Sequence, residues 1–403
     1  MFTQKLPLHF IYIVFYSLLI AIIGCFVSNA LLSISSILLV ICAVGYYSFY
    51  SKISLKKISI FLLSFMAFCS ILWSENMSEG FERSLVKLPL LILLLPLYKI
   101  LDVKQLNYII YIIIGCCILS IVGSLINYGF HYEEINNSYL KAKVMPNYFM
   151  GDHIRFSWFL VLMMLIVYKW LHQTSKINKA IGLVIIIVSF IFLHILASKT
   201  GLLCLYIAFI ALLFYNAKKH VTIFLVVSFV FVGSTFIILN TSKSLQNRIS
   251  YIKYDVQQVV KGNFVTGLSD GARVLSCKAG IEIGNNNLMF GVGFGDVKAQ
   301  LIQWHQQHHS NSQQYEIFLP TNQFIIFYSA MGIVGVVCFS IALFVILFYK
   351  NYNYFKIIFS IILLIPLITD DTFERQHGVF IFAFSYLLLR YVTHYFKTKN
   401  ELN

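Results

Sequence analysis

Four short polar segments interrupt an otherwise apolar chain, and each carries side chains that can bind an anion or transfer a proton. They are residues 197–201 (ASKTG), 269–273 (SDGAR), 319–324 (LPTNQF) and 369–378 (TDDTFERQHG). Lysine and arginine bind phosphate oxygens, and the planar guanidinium group of arginine matches a pair of such oxygens. Lys199 and Arg273 are therefore the candidate anion-binding residues of these segments.

Structural roles are the alternatives for the same segments. Residues 197–201 fit a tight turn in which Gly201 caps a helix, and Asn322 fits the N-cap of the helix that follows it. A dense polar cluster between two apolar runs is costly in lipid, so we expect residues 369–378 to line a cavity. Three members of this cluster are candidate cavity-lining residues: Glu374, Arg375 and His377.

A glycine-rich run occupies residues 291–296 (GVGFGD). Such a run can indicate nucleotide binding, but here it does not follow a predicted strand, so we discount that interpretation. We expect instead a tight backbone turn whose N–H groups can face an anion. Gly293 and Asp296 would then line the same cavity as the polar cluster.

Histidines and cysteines give little support for a metal site. His305, His308 and His309 lie together in residues 304–309 (WHQQHH), but no carboxylate is adjacent in sequence, which favours a solvated loop. The cysteines contain no C-x-x-C motif and lie mostly in apolar runs, which is not typical of a disulfide framework or a zinc site. We therefore expect no metal ion and no cofactor.

The elements that position these residues are membrane-spanning helices. Hydrophobic residues make up 59% of the chain and charged residues 11%, which excludes an ordinary soluble domain. A span needs roughly 20 mostly apolar residues. Apolar runs of that order lie near residues 9–27, 31–49, 58–73, 88–101, 107–127, 156–171, 180–197, 201–216, 221–239, 322–349, 355–369 and 377–395. The sequence predicts an all-α, polytopic integral membrane protein with about 12 transmembrane helices, forming a single membrane domain over residues 1–403.

The charges separate onto two faces of this arrangement. One face holds 16 of the 30 Lys and Arg residues and 2 of the 16 acidic residues, and therefore the whole formal net charge of +14. Positive loops stay in the cytoplasm, so both termini are predicted to be cytoplasmic and residues 240–320 to form one large loop on the outer side. We expect helices near residues 244–260 and 271–283 and a fold that caps the bundle. The lysines lie beside spans rather than in a basic stripe, so we expect no nucleic-acid partner.

Taken together, the order and spacing of these segments resemble the O-antigen ligase and O-antigen polymerase family of bacteria. The resemblance covers essentially the whole chain and rests on the following segments in this order: 198–201 (SKTG), Arg273, 291–296 (GVGFGD), 320–324 (PTNQF), Gly332, Gly335 and 374–378 (ERQHG). It implies a metal-independent, inverting glycosyltransferase of the bacterial inner membrane. Such an enzyme takes a glycan from an undecaprenyl-diphosphate donor at the periplasmic face. The acceptor is lipid A–core, another glycan or a protein side chain, and membrane lipids surround the enzyme.

The resemblance also suggests roles for single residues. Lys199 and Arg273 match positions at which the family binds the diphosphate, although the family usually has arginine where this chain has Lys199. Thr321, followed by Asn322, occupies the position of a histidine that is thought to act as the base. A threonine hydroxyl is not a useful base near neutral pH. The candidate substitutes are His305, His308, His309, Glu316, Asp296, His377 and Glu374.

Two other functions fit some of these features. A lipid-glycan flippase would also have many spans and cations, but it needs access from both faces, and the cytoplasmic face has almost no acidic residues. A non-catalytic relative that binds the lipid carrier would explain the loss of the histidine at Thr321. Transfer from a lipid-linked donor distinguishes the enzyme from both.

Overall fold

The chain is an all-α polytopic membrane protein. The computed structural model describes residues 6–50, 53–141, 145–149, 152–171, 176–217, 221–263, 265, 267–309, 317–350 and 353–402. All regular secondary structure in these ranges is helical, which confirms the predicted fold class. Seven helices within them are long and apolar enough to cross a membrane, and shorter apolar helices accompany these seven.

The helices follow one another along the whole chain. They are α1 (Leu8–Val27), α2 (Asn29–Tyr50), α3 (Leu55–Cys69), α4 (Met77–Leu85), α5 (Leu97–Ile100), α6 (Val103–Phe130), α7 (Tyr132–Ser138), α8 (His153–Leu171), α9 (Lys176–Leu196), α10 (Lys199–Ala217), α11 (Val221–Thr241), α12 (Lys243–Val260), α13 (Ser269–Asn286), α14 (Val297–His308), α15 (Gln323–Leu347), α16 (Tyr354–Thr369) and α17 (Gln376–Leu402). Short 3-10 helices cover Ser70–Trp73, Leu88–Leu94 and Thr372–Glu374. Every predicted span except residues 88–101 consists mainly of one α-helix.

The exception, residues 88–101, was predicted as a regular span and is instead a 3-10 helix followed by the single turn of α5. Pro89 and Pro96 lack the N–H groups that a continuous α-helix would need. The segment is buried among α2, α3 and α17. At its end, the hydroxyl of Tyr391 on α17 donates a hydrogen bond to the carbonyl of Leu101. Irregular backbone is tolerated at membrane depth when protein rather than lipid surrounds it.

We call residues 240–320 the cap, and the end of the bundle that it contacts the cap face. The predicted helices near 244–260 and 271–283 correspond to α12 and α13. The carboxylate of Asp255 on α12 accepts hydrogen bonds from the N–H groups of Asp270 and Gly271, which are orphan donors at the start of α13. The two cap helices are therefore joined at the point where α13 begins.

The glycine-rich run connects the cap to α15. At Gly332 the backbone of α15 leaves the helical region (φ +61°), and the N–H of Ile333 donates to the carbonyl of Leu288. The N–H of Gly293 donates to the carbonyl of Ala330 at 2.8 Å, so it is not free to face an anion as the sequence suggested. A Cβ at Gly291 would lie 2.4 Å from the backbone of Ala330. The glycines therefore serve close backbone packing.

Gly291→Ala should destabilise the protein, because the new methyl group would meet the backbone of α15 at a residue with φ +62°. The strained φ alone should cost about 1–3 kcal/mol. We expect a lower thermal unfolding midpoint in detergent and a lower yield of inserted protein. Gly115→Ala on α6 is the matched control, since no heavy atom lies within 4 Å of its added methyl group. Equal midpoints for the two variants would contradict this role of Gly291.

Candidate functional site

A cavity of about 590 Å³ opens at the cap face. It is lined by Asn29, Asp152, His153, Ile154, Arg155, Arg273, Phe318, Leu319, Thr321, Asp370, Asp371, Arg375 and His377. These residues come from the starts of α2, α8, α13 and α17, from the segment before α15 and from the end of α16. Helix ends supply many of these polar groups, because the helix interiors are apolar.

Arg155 organises one wall of this cavity. Its guanidinium group is buried and lies 2.9 Å from Asp152, 3.1 Å from Asp370 and 2.8 Å from Asp371. A buried arginine needs such partners, since the cost of removing a charge from water is otherwise unmatched. The single guanidinium group therefore brings together carboxylates from two distant parts of the chain.

Two of these carboxylates, Asp152 and Asp370, have pKa values shifted in opposite directions. Burial opposes ionisation of Asp152, but the charge and hydrogen bonds of Arg155 outweigh it and lower the pKa of Asp152. Burial raises the pKa of Asp370 to about 6, against the opposing charge of Arg155 and with help from the charge of Asp371. The Nη2 atom of Arg155 donates its hydrogen bond to Asp371, which leaves Asp370 with an ion pair of poorer geometry. Asp370 can therefore change its charge just below neutral pH.

A cluster of cations lies beside the cavity. Lys199, the first residue of α10, forms an ion pair with Asp270, with 2.6 Å between its Nζ atom and Oδ1. Arg273, one turn further along α13, is half-buried, and its Nη1 donates to the carbonyl of Thr369 at 3.5 Å. Lys199 and Arg273 are close enough for their side chains to interact electrostatically. The structure thus brings the two predicted anion-binding residues together.

Arg248 on α12 is a third cation of this cluster, and it was not predicted from the sequence. It is only 7% exposed, and burial lowers its pKa against the opposing effect of Tyr251 and Asp270. Its Nε and Nη1 atoms make no hydrogen bond to any residue that the structure describes. Buried polar atoms are usually hydrogen-bonded, so these two donors can bind an anionic ligand. Arg248 lies in a helix that was predicted, but periodicity alone did not show which face turned inward.

Thr321 and Asn322 lie next to each other but have different surroundings. The hydroxyl of Thr321 lines the cavity and lies 3.7 Å from the sulfur of Cys277 on α13. The side chain of Asn322 accepts hydrogen bonds from the N–H groups of Phe324 and Ile325. Asn322 is therefore the N-cap of α15, as in the structural alternative for this segment.

Several other predicted site residues lie away from this cavity. The side chain of Glu374 is only 3% exposed, lies 2.9 Å from Lys87 and accepts a hydrogen bond from Gln323, whereas Arg375 and His377 line the cavity. The reason is that Thr372–Glu374 forms a 3-10 turn, which directs neighbouring side chains to different sides.

Asp296 and the histidines of α14 also have other partners. The carboxylate of Asp296 accepts hydrogen bonds from the N–H groups of Glu75 and Asn76, at 2.7 and 2.9 Å. His305 is buried, and His308 stacks on Trp304 with 4.6 Å between the ring centroids. His305 and His308 thus belong to a helix rather than to the predicted solvated loop, and His309 is the C-cap residue of that helix. Glu316 falls outside the described residues.

Asp152, His153 and Arg155 were not predicted as site residues from the sequence. These residues directly precede or begin α8, an apolar helix on the cap face. Charged residues at the mouth of a predicted span are the signal that could have indicated them.

Comparison with known proteins finds one family that part of this chain resembles. Residues 183–340 match the family model described as O-antigen ligase. The match contains the three cations and Thr321, whereas Arg155 and its carboxylate partners lie outside it. No match was found among curated proteins. Over residues 183–340, the chain is therefore similar to the O-antigen ligase family.

Proposed function

We propose that the protein is a glycosyltransferase that moves a glycan from an undecaprenyl-diphosphate donor to a hydroxyl group of a sugar or protein acceptor. The observation that carries the proposal is a single cavity in which Arg273 and Thr321 meet the carboxylates around Arg155. We place the cap face on the periplasmic side of the bacterial inner membrane, with both termini in the cytoplasm. The separation of charges along the sequence supports this orientation.

The cation cluster fits the leaving diphosphate. When the bond between the glycan and the diphosphate breaks, negative charge develops on the diphosphate oxygens, and fixed cations in a site with little water stabilise it. Arg248 and Arg273 have no ion pair with the described carboxylates, so both can turn to the ligand. Lys199 forms an ion pair with Asp270, and the diphosphate would compete with that carboxylate for the ammonium group of Lys199.

Asp370 is the best-placed base for the acceptor. In the proposed step, the carboxylate of Asp370 takes the proton of the acceptor hydroxyl as its oxygen attacks the anomeric carbon. The bond from that carbon to the donor oxygen breaks, and the diphosphate leaves with the electron pair. Attack from the side opposite the leaving group inverts the anomeric centre. Thr321 lies at the same cavity and can orient the acceptor through its hydroxyl group, although it cannot take the proton.

His377 is the second candidate base because it also lines the cavity. The histidines of α14 have weaker support, since His305 and His308 pack around Trp304 instead. The guanidinium group of Arg155 fills the space between the three carboxylates, which is where a metal ion would need to bind. This arrangement supports a metal-independent mechanism.

Transfer from a radiolabelled undecaprenyl-diphosphate glycan, extracted from the producing cells, tests the role of Arg273. Arg273→Ala should lower transfer by roughly a hundredfold or more. The loss of one group that stabilises the developing negative charge costs about 2.7–4 kcal/mol. Lys199→Arg should retain activity, since it keeps the positive charge and adds a planar guanidinium group that can bind two phosphate oxygens. Lys243→Ala, at an exposed position on α12, is the control. Near-normal transfer by the Arg273→Ala protein would remove Arg273 from the site.

The pH dependence of transfer tests Asp370. A base must be ionised, so wild-type activity should fall as the pH decreases through about 6, where Asp370 becomes protonated. Asp370→Asn should reduce transfer by about 10²–10⁴-fold at pH 7.5. Asp371→Asn should retain more activity and move the acidic limb to lower pH, because the charge of Asp371 raises the pKa of Asp370. A rate that stays flat from about pH 5 to 8 would exclude Asp370 as the base.

Histidine at position 321 offers a rescue test. If Asp370 is the base, Thr321→His alone should do nothing or slow transfer. In the Asp370→Asn background, the same change should restore part of the activity, with an acidic limb near pH 6.5 from the new imidazole. Full activity of Asp370→Asn together with a large loss in His377→Ala would instead assign the base to His377. A wild-type protein that binds the donor but never transfers would be a non-catalytic carrier-binding relative.

A further inference from the structure

A second pocket lies beside the cavity at the cap face, and we call it the side pocket. Its volume of about 560 Å³ is within the range of sites for small molecules. Glu79, Glu82 and Arg83 on α4 line it, together with Lys298 on α14. Leu319 lines both the side pocket and the cavity, so the two spaces are neighbours.

The cap holds α4 in this position. The N–H groups of Glu75 and Asn76, which precede α4, donate to the carboxylate of Asp296 at the start of α14. Arg83 lies one turn after Glu79 on α4, and its Nη2 atom donates to Oε1 of Glu79 at 2.7 Å. The Nη1 atom of the same guanidinium group takes no part in this pairing.

An unsatisfied carboxylate oxygen belongs to the side pocket. Glu374 lines the pocket, although only 3% of its side chain is exposed, and its Oε1 atom lies 2.9 Å from Nζ of Lys87. Its Oε2 atom accepts no hydrogen bond from any residue that the structure describes, and Nη1 of Arg83 is 3.7 Å away, beyond hydrogen-bond distance. Buried polar atoms are usually hydrogen-bonded. A ligand hydroxyl beside these two atoms can donate to Oε2 and accept from Nη1.

The charges of the side pocket suit a neutral ligand that is rich in hydroxyl groups. The described residues that line it include three carboxylates and two cations, namely Glu79, Glu82, Glu374, Arg83 and Lys298. Carboxylates accept hydrogen bonds from hydroxyl groups, and arginine and lysine donate to hydroxyl oxygens. An anion such as phosphate would meet more carboxylates than cations. Val86 and Leu319 add apolar surface for the C–H groups of a sugar ring.

A metal ion is a poorer occupant of the side pocket. Among the residues that the structure describes, no three His, Cys, Asp or Glu side chains form a group that could hold a metal ion. The guanidinium group of Arg83 already lies between two of the carboxylates, those of Glu79 and Glu374. It supplies the positive charge that a metal ion would otherwise bring.

We propose that the side pocket binds a sugar of the acceptor, so that the acceptor is a glycan rather than a protein side chain. The inference rests on the proposed function and adds the chemical class of the acceptor. Glu374 closely follows Asp370, the proposed base, in the chain, whereas the cations proposed for the diphosphate lie on α10, α12 and α13. The acceptor hydroxyl must reach Asp370, and the sugar next to it then extends into the neighbouring side pocket.

Equilibrium binding tests this site without catalysis. Two radiolabelled oligosaccharides are released from the producing cells by mild acid, one from the lipid-linked glycan and one from the lipopolysaccharide core. Neither carries undecaprenyl diphosphate, so neither can act as a donor. At least one should bind the intact protein in phosphatidylcholine nanodiscs with a Kd in the millimolar range or tighter. Inorganic phosphate at equal concentration should not displace it.

Matched double variants locate the binding. Glu82→Gln combined with Lys298→Ala removes one negative and one positive charge from the side pocket, and both side chains are exposed, so the fold should tolerate the changes. The Kd of the oligosaccharide should rise about tenfold or more, because hydrogen bonds to charged groups are lost. Glu75→Gln combined with Lys253→Ala makes the same charge changes at exposed positions outside the pocket and should leave the Kd unchanged.

Transfer kinetics separate the acceptor from the donor. The oligosaccharide that binds serves as the acceptor, and the undecaprenyl-diphosphate glycan serves as the donor. The Glu82→Gln, Lys298→Ala protein should show a KM for the oligosaccharide that is about tenfold higher or more, with kcat and the KM for the donor unchanged. An increase confined to the KM for the donor would assign the side pocket to the glycan of the donor and overturn the proposal.

Three binding results would also overturn the proposal. They are no binding of either oligosaccharide to the wild-type protein, displacement of the oligosaccharide by inorganic phosphate, and equal Kd values for the two double variants. Binding does not require catalysis, so these results are separate from a failure of the proposed function. A protein that binds the oligosaccharide in the side pocket but never transfers would retain the sugar site and lose the enzymatic activity.

Discussion

Backbone docking of residues 288–293 against the kink at Gly332 is the constraint on which the cap depends. Two segments of main chain approach each other more closely than any side chain would allow, and their N–H and carbonyl groups pair directly. This contact fixes the end of α13 against α15. Because α13 is rigid, the same contact sets the position of Arg273 relative to Thr321 near the helix start.

A buried charge is the second constraint. Arg155 joins the start of α8 to the carboxylates after α16, and Asp371, one of its partners, lies 216 residues further along the chain. Removing a guanidinium group from water is expensive, and the three carboxylates offset this cost for Arg155. The same sharing leaves Asp370 with the longest of the three contacts, and burial raises the pKa of Asp370 to about 6, whereas Arg155 lowers the pKa of Asp152. Structural stability and the proposed proton transfer therefore come from one cluster.

The sequence predicted much of the fold because lipid imposes simple rules. Long apolar runs must become helices, since no water is present to satisfy the backbone. These rules failed at residues 88–101, where composition indicated a span but two prolines prevented a continuous α-helix. Composition cannot reveal that such a segment is surrounded by protein, because burial depends on the neighbouring helices.

The sequence by itself determined the all-α membrane fold and drew attention to Lys199, Arg273 and Thr321, since polar residues at the ends of apolar runs are conspicuous. Tertiary structure alone decided which of them share a cavity. It turned Arg248 inward, directed Glu374 towards Lys87 and used the glycine-rich run for backbone packing. These outcomes depend on contacts between residues far apart in the chain, and on the free energy of burying a charge. Neither quantity can be read from local composition or spacing.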